Sequence, residues 1–164
     1  MNSKKLFIWG FLFVSVIGTL LHFVYEWSGN NSIVRLFAPW NESTWEHMKL
    51  LFFPMLALVL FLFFKLPEQS PIPVALSIGT LVGLALIPIL FYTYTGVLGF
   101  SVMAIDIAIF YISVLGAFLI GWFLKDNREL ANRRGLLLTC LVILAILFFI
   151  FNYYPPGIGL FQEP

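Results

Sequence analysis

The chain has 164 residues, of which 61% are apolar and only 10% are charged, and its formal net charge is +1. Repeated apolar runs in so uncharged a sequence are typical of an integral membrane protein, and the small net charge excludes a nucleic-acid-binding surface. A single cysteine, Cys140, excludes a disulfide framework within the chain.

Five apolar segments have the length of about 20 residues that crosses a bilayer. They comprise residues 6–25, 48–66, 73–94, 100–124 and 136–154. The sequence therefore predicts an all-α fold, a bundle of five transmembrane helices that forms one domain over residues 1–164, with membrane lipids as its expected partners. In the third segment, Gly79 and Gly83 form a G-x-x-x-G pattern, which favours close packing between helices of this chain over dimerisation.

Positive charges divide unevenly between the loops. With the N-terminus inside the cell, the cytoplasmic segments hold seven of the nine cations: Lys4, Lys5, Lys65, Lys125, Arg128, Arg133 and Arg134. Only Arg35 and Lys49 then lie outside. Because positively charged loops are retained in the cytoplasm, we predict a cytoplasmic N-terminus and an external C-terminus.

Acidic residues and histidines gather on the predicted outer side. His22 and Glu26 would share one helix face if the first helix continues for one more turn, since residues four apart are neighbours on a helix. Glu42 and Glu46 would form a second such pair if the next helix begins near Asn41. Two carboxylates so placed repel each other unless a proton, a metal ion or a cationic ligand lies between them.

Asp106 lies inside the fourth predicted helix, where an ionisable group is costly and normally faces the bundle interior with a partner. We expect this partner to be His22, His47, a metal ion or the proton of the carboxyl group itself. Imidazoles and carboxylates together suit Zn²⁺ or Mn²⁺. The predicted metal ligands are His22, Glu26, Glu46 and His47, and the predicted catalytic residues are Glu42 and Asp106.

The same residues also have a purely structural interpretation. Ser43 followed three residues later by Glu46 forms a capping box at a helix start. Trp27, Trp40 and Trp45 would be interfacial anchors of the aromatic belt.

Three segments carry a family resemblance. Residues 22–31 read HFVYEWSGNN, residues 39–50 read PWNESTWEHMKL, and residues 92–96 read YTYTG, followed by Asp106. Together they resemble an uncharacterised family of small bacterial multi-pass membrane proteins, which implies a location in the bacterial cytoplasmic membrane but no activity. A weaker similarity is to the alkaline ceramidase type of metal-dependent amide hydrolase, which has three histidines and seven spans.

Two hypotheses of function follow from the sequence. In the first, an external polar pocket is a metal-dependent, hydrolase-like site that acts on a lipid or lipid-linked substrate. In the second, the protein is not an enzyme but a small transporter, an immunity-like factor or a subunit of a complex. The polar motif would then be a helix cap and a structural clasp for the loop.

Overall fold

The computed structural model describes residues 2–164, and these form five long α-helices and no β-strand. The helices are α1 (Ser3–Trp27), α2 (Thr44–Lys65), α3 (Ile72–Leu98), α4 (Met103–Leu124) and α5 (Arg134–Tyr153). Short 3₁₀ turns lie at Val34–Leu36, Arg128–Arg133 and Gly159–Phe161. Each long helix is apolar and long enough to cross a membrane, so the prediction of five spanning helices is confirmed.

The ends of two helices are set by local features of the sequence. Ser43 is the N-cap of α2, and its hydroxyl accepts a hydrogen bond from Glu46 N at 3.4 Å. The reciprocal half of the predicted capping box does not form, because Ser43 N donates to Asn41 Oδ1 at 3.1 Å and the Glu46 carboxylate binds elsewhere. At the end of α3, Gly99 has a φ of 82°, a left-handed conformation that suits glycine.

Two details of the predicted helix bounds matter for the site. The first helix does continue to Trp27, which places His22 and Glu26 on the same helix. The condition for pairing Glu42 with Glu46, a second helix that begins near Asn41, is not met: α2 begins at Thr44, after the Ser43 cap, so Glu42 lies in the preceding loop. Glu42 and Glu46 are therefore not neighbours on a helix face.

The core of the bundle is built around α2, whose Leu51, Phe52, Met55 and Val59 are fully buried. Helices α3 and α4 pack closely because Gly79 and Gly83 remove side-chain bulk between them. A Cβ atom at Gly83 would lie 2.9 Å from a backbone oxygen of α4. The G-x-x-x-G pattern thus serves packing within the chain.

Large apolar side chains cover the outward faces of the helices, as expected for contact with lipid. The two ends of the bundle differ in charge. One end carries the seven basic residues named above, and the other, which we call the polar end, is where α1, α3 and α5 finish and α2 and α4 begin. Which end faces the cytoplasm stays a prediction from the loop charges.

Candidate functional site

The polar end brings together three of the six residues that the sequence predicted for the site. His22 on α1, Glu42 in the loop and His47 on α2 each offer one ligand atom, and these atoms all lie within 4.8 Å of one another. The rings of His22 and His47 have centroids 5.4 Å apart and planes tilted by 31°. Three such side chains at these distances could hold a metal ion. We call them the His–Glu–His cluster.

Hydrogen bonds orient His47 within the cluster. Its Nδ1 lies 3.0 Å from the carbonyl oxygen of Ser43, one turn earlier in the chain. A carbonyl oxygen only accepts, so Nδ1 carries the proton and Nε2 is left facing Glu42 Oε2 at 3.3 Å. That contact is favourable only if a second proton or a metal ion lies between the imidazole nitrogen and the carboxylate.

Glu42 is well placed for electrostatic interaction with both histidines, although 67% of its side chain is exposed. Its hydrogen bond with His47 holds the pKa of Glu42 below the usual value of 4.5. Partial burial opposes this effect, and positive charge on His47 and His22 adds to it. The carboxylate is therefore ionised, and able to bind a cation, over the neutral pH range.

His22 completes the cluster from α1. Its Nδ1 atom is buried and has no hydrogen-bond partner in residues 2–164. Beside it lies a cavity of about 130 Å³, lined by His22, Glu26, Trp40 and Glu42 among other residues. The cluster thus borders a space large enough for water or a small chemical group.

Glu26 and Asp106 lie next to the cluster but not within it. Glu26 lines the cavity and is exposed. Asp106, which is half-buried, accepts a hydrogen bond from the hydroxyl of Tyr94 on α3. Tyr94 is a partner that the sequence reasoning missed, and its hydroxyl also accepts from Val102 N at 3.0 Å. Asp106 remains close enough to His47 to interact with it electrostatically.

Glu46, predicted as a metal ligand, has a different set of contacts. It is buried, and its Oε2 lies 2.6 Å from the ammonium of Lys49, which is also fully buried. The same ammonium donates to the Arg35 carbonyl and to Asn152 Oδ1, both at 3.0 Å. Trp40 N donates to Glu46 at 3.4 Å. This network, which we call the lysine clasp, joins α2 to α5 and to the loop before α2.

The lysine clasp was not predicted, because Lys49 was interpreted only as one of two external cations. One local signal was present: Lys49 follows Glu46 by three residues, a spacing at which oppositely charged side chains meet on a helix. Nothing local connects either residue to Asn152, which lies 103 positions further along the chain. That contact depends on how α5 packs.

Comparisons with known proteins give a family but no described relative. No curated protein matches the chain, and no solved structure does. A family model matches residues 1–164, the whole length of the chain, and its description is a family of unknown function, DUF6512. The protein therefore belongs to the DUF6512 family.

Proposed function

We propose that the protein is a membrane-embedded metalloprotein in which His22, Glu42 and His47 bind one divalent transition metal, Zn²⁺ or Mn²⁺. The observation that carries this proposal is the geometry of His47. With Nδ1 donating to a backbone carbonyl, Nε2 faces the Glu42 carboxylate, and on losing its proton it would offer its lone pair to the metal. A backbone acceptor on the non-ligating nitrogen is the usual support for a histidine that binds metal.

The proposed activity is hydrolase-like, on a lipid or lipid-linked substrate. Two imidazoles and one carboxylate make a three-ligand set, and catalytic metal sites of this kind keep one coordination position open. A divalent ion held by these three residues would supply Lewis-acid chemistry toward a carbonyl or phosphoryl oxygen. The adjacent cavity would receive the reacting group. Glu42 would act as a ligand, and Asp106 or Glu26 would take the proton that water loses as its oxygen bonds to the carbonyl carbon or phosphorus. The same acid would then return that proton to the leaving group as the ester or amide bond breaks.

A lipid substrate is favoured by the position of the site in the bundle. The cluster lies at the ends of helices long enough to span a bilayer, so it lies near the membrane–water interface in either orientation. Exposed aromatic side chains, Phe23 and Trp27, adjoin it on α1. Their rings stack with centroids 5.7 Å apart, and tryptophan is enriched at this depth.

The second candidate function, a non-enzymatic membrane protein with a structural motif at its polar end, is favoured by the lysine clasp. Lys49 and Glu46 are both buried and already satisfy each other, with Asn152 as a further partner. Part of the polar motif in residues 39–50 therefore has a structural role that needs no metal. The two candidate functions differ in whether the His–Glu–His cluster binds a metal ion.

Elemental analysis of the purified full-length protein tests the proposal. We expect about one equivalent of transition metal, lost in His22→Ala, Glu42→Gln and His47→Ala, because each removes one of three ligands. Glu163→Gln, in the exposed C-terminal segment, is the matched control for Glu42→Gln and should keep the metal. Native protein that contains no metal, takes up none on incubation with Zn²⁺ or Mn²⁺, and is as stable as the three variants would refute the metal site.

A further inference from the structure

A second feature of the polar end is the guanidinium of Arg35, which is held in one orientation beside the lysine clasp. Arg35 belongs to the 3₁₀ turn Val34–Leu36 in the loop between α1 and α2. Its Cζ lies 3.8 Å from the centroid of the Trp40 ring and 5.5 Å from that of Tyr153. Its Nη2 donates to the carbonyl of Asn152 at 2.9 Å. Within residues 2–164 it forms no ion pair with a carboxylate.

The groups around Arg35 contain more hydrogen-bond donors than acceptors. Arg35 Nε, Trp40 Nε1 and Asn152 Nδ2 are all buried and have no acceptor in the described part of the chain. The carboxylate of Glu46, which interacts electrostatically with Arg35, already accepts from Lys49 and from Trp40 N. Two cations therefore share one carboxylate here. Unpaired donors each cost free energy, and the side chain of Arg35 is only half-buried, so this arrangement favours a ligand that accepts hydrogen bonds and carries negative charge.

A phosphoryl group has these properties. Its oxygens accept several hydrogen bonds, and a guanidinium matches their geometry with two parallel N–H donors. Arg35 lies at the end of the helices, at the depth where lipid headgroups are found. Trp40, over which Arg35 stacks, also lines the cavity beside His22 and Glu42.

We infer that Arg35, with Trp40 and Asn152, forms a binding site for the phosphoryl group of a membrane lipid, next to the His–Glu–His cluster. The chemistry recognised is a phosphoryl group, and its source is a lipid headgroup, not free phosphate. The role of this lipid as a substrate rests on the proposed function, whereas its binding depends only on the residues around Arg35.

Native mass spectrometry of the detergent-solubilised full-length protein tests this site. The probes are phosphatidic acid, a diacylglycerol with the same acyl chains, and inorganic phosphate. We expect preferential binding of phosphatidic acid, weakened about tenfold or more in Arg35→Gln, because a charge-assisted hydrogen bond is lost. Arg128→Gln, an exposed arginine at the opposite end, is the matched control and should bind like the wild type. Trp40→Phe keeps the stacked ring but removes the indole donor, so it should bind a few-fold more weakly.

Several results would overturn the inference. Equal binding of phosphatidic acid and diacylglycerol, or unchanged phosphatidic acid binding in both Arg35→Gln and Trp40→Phe, would do so. Inorganic phosphate that binds as well as the lipid would overturn the lipid source. If Arg35→Gln does not fold, phosphatidic acid binding by Trp40→Phe is the test, and unchanged binding in that variant would overturn the inference.

Metal analysis of the same samples separates this inference from the proposed function. Metal-free protein that binds phosphatidic acid in an Arg35-dependent manner would support the phosphoryl site and refute the metal site. Metal-loaded protein whose affinity for phosphatidic acid is unchanged in Arg35→Gln would support the metal site and refute the phosphoryl site. His47→Ala should lose metal and keep its preference for phosphatidic acid.

Discussion

Replacing Glu46 by glutamine tests whether the polar motif is only a helix cap. The cap bond runs from Glu46 N to the Ser43 hydroxyl, so it survives a change of side chain. A pure cap therefore makes Glu46→Gln nearly silent, since glutamine also serves in a capping box. The lysine clasp leads to the opposite expectation, because the change leaves the Lys49 ammonium without its counter-charge.

The magnitude follows from the burial of the pair. Lys49 and Glu46 have side chains that are 0% and 3% exposed, and their charged atoms lie 2.6 Å apart. Removing one partner of a buried ion pair typically costs about 3–5 kcal/mol, and we expect about 3 kcal/mol here, because glutamine still offers one acceptor oxygen. For a chain of this size that corresponds to a fall in melting temperature of roughly 6–12 °C.

The assay is thermal unfolding in mild detergent micelles, followed by tryptophan fluorescence. Glu68→Gln, in the exposed loop between α2 and α3, is the control and should be unchanged. The double variant Glu46→Gln with Lys49→Met should recover much of the lost stability, because it removes the uncompensated charge. A melting temperature for Glu46→Gln within about 1 °C of the wild type would refute the clasp, because roughly 2–4 °C is expected per kcal/mol.

Three further predictions concern topology, packing and pH. Reporter fusions at Asn127 should read cytoplasmic and fusions at Gly29 external; a cytoplasmic signal at Gly29 would contradict the orientation. Gly79→Ala should destabilise the protein by about 1–3 kcal/mol in detergent unfolding, because its Cβ would meet the backbone of α4. Gly96→Ala is the control, because a Cβ there would have open space around it. Equal stabilities of the two variants would contradict the α3–α4 packing. The folded state holds the pKa of Glu42 below 4.5, so its contribution to stability is present above that value and is lost as the pH falls through the lowered pKa. The stability difference between wild type and Glu42→Gln should therefore shrink on acidification below pH 4.5, and a difference that grows would contradict this sign.

Some features of the fold could be predicted from the sequence alone because they depend on local chemistry. Five apolar runs predicted five helices, since a chain in hydrocarbon must satisfy its backbone hydrogen bonds within each segment. Ser43 and Gly99 mark helix ends because a hydroxyl can cap an N-terminus and a glycine can take a positive φ. Two members of the cluster, His22 and His47, were predicted as ligands from their position at helix ends.

Tertiary structure alone decided which polar side chains meet. The start of α2 at Thr44 leaves Glu42 in the loop, where it reaches His47, while Glu46 turns into the bundle toward Lys49. Asn152 then completes the clasp from α5. The sequence could not predict these contacts, because helices that are apolar on nearly every side carry almost no periodic signal for their rotation. That rotation depends on how small and large side chains fit between helices, and so it determines which polar groups face each other.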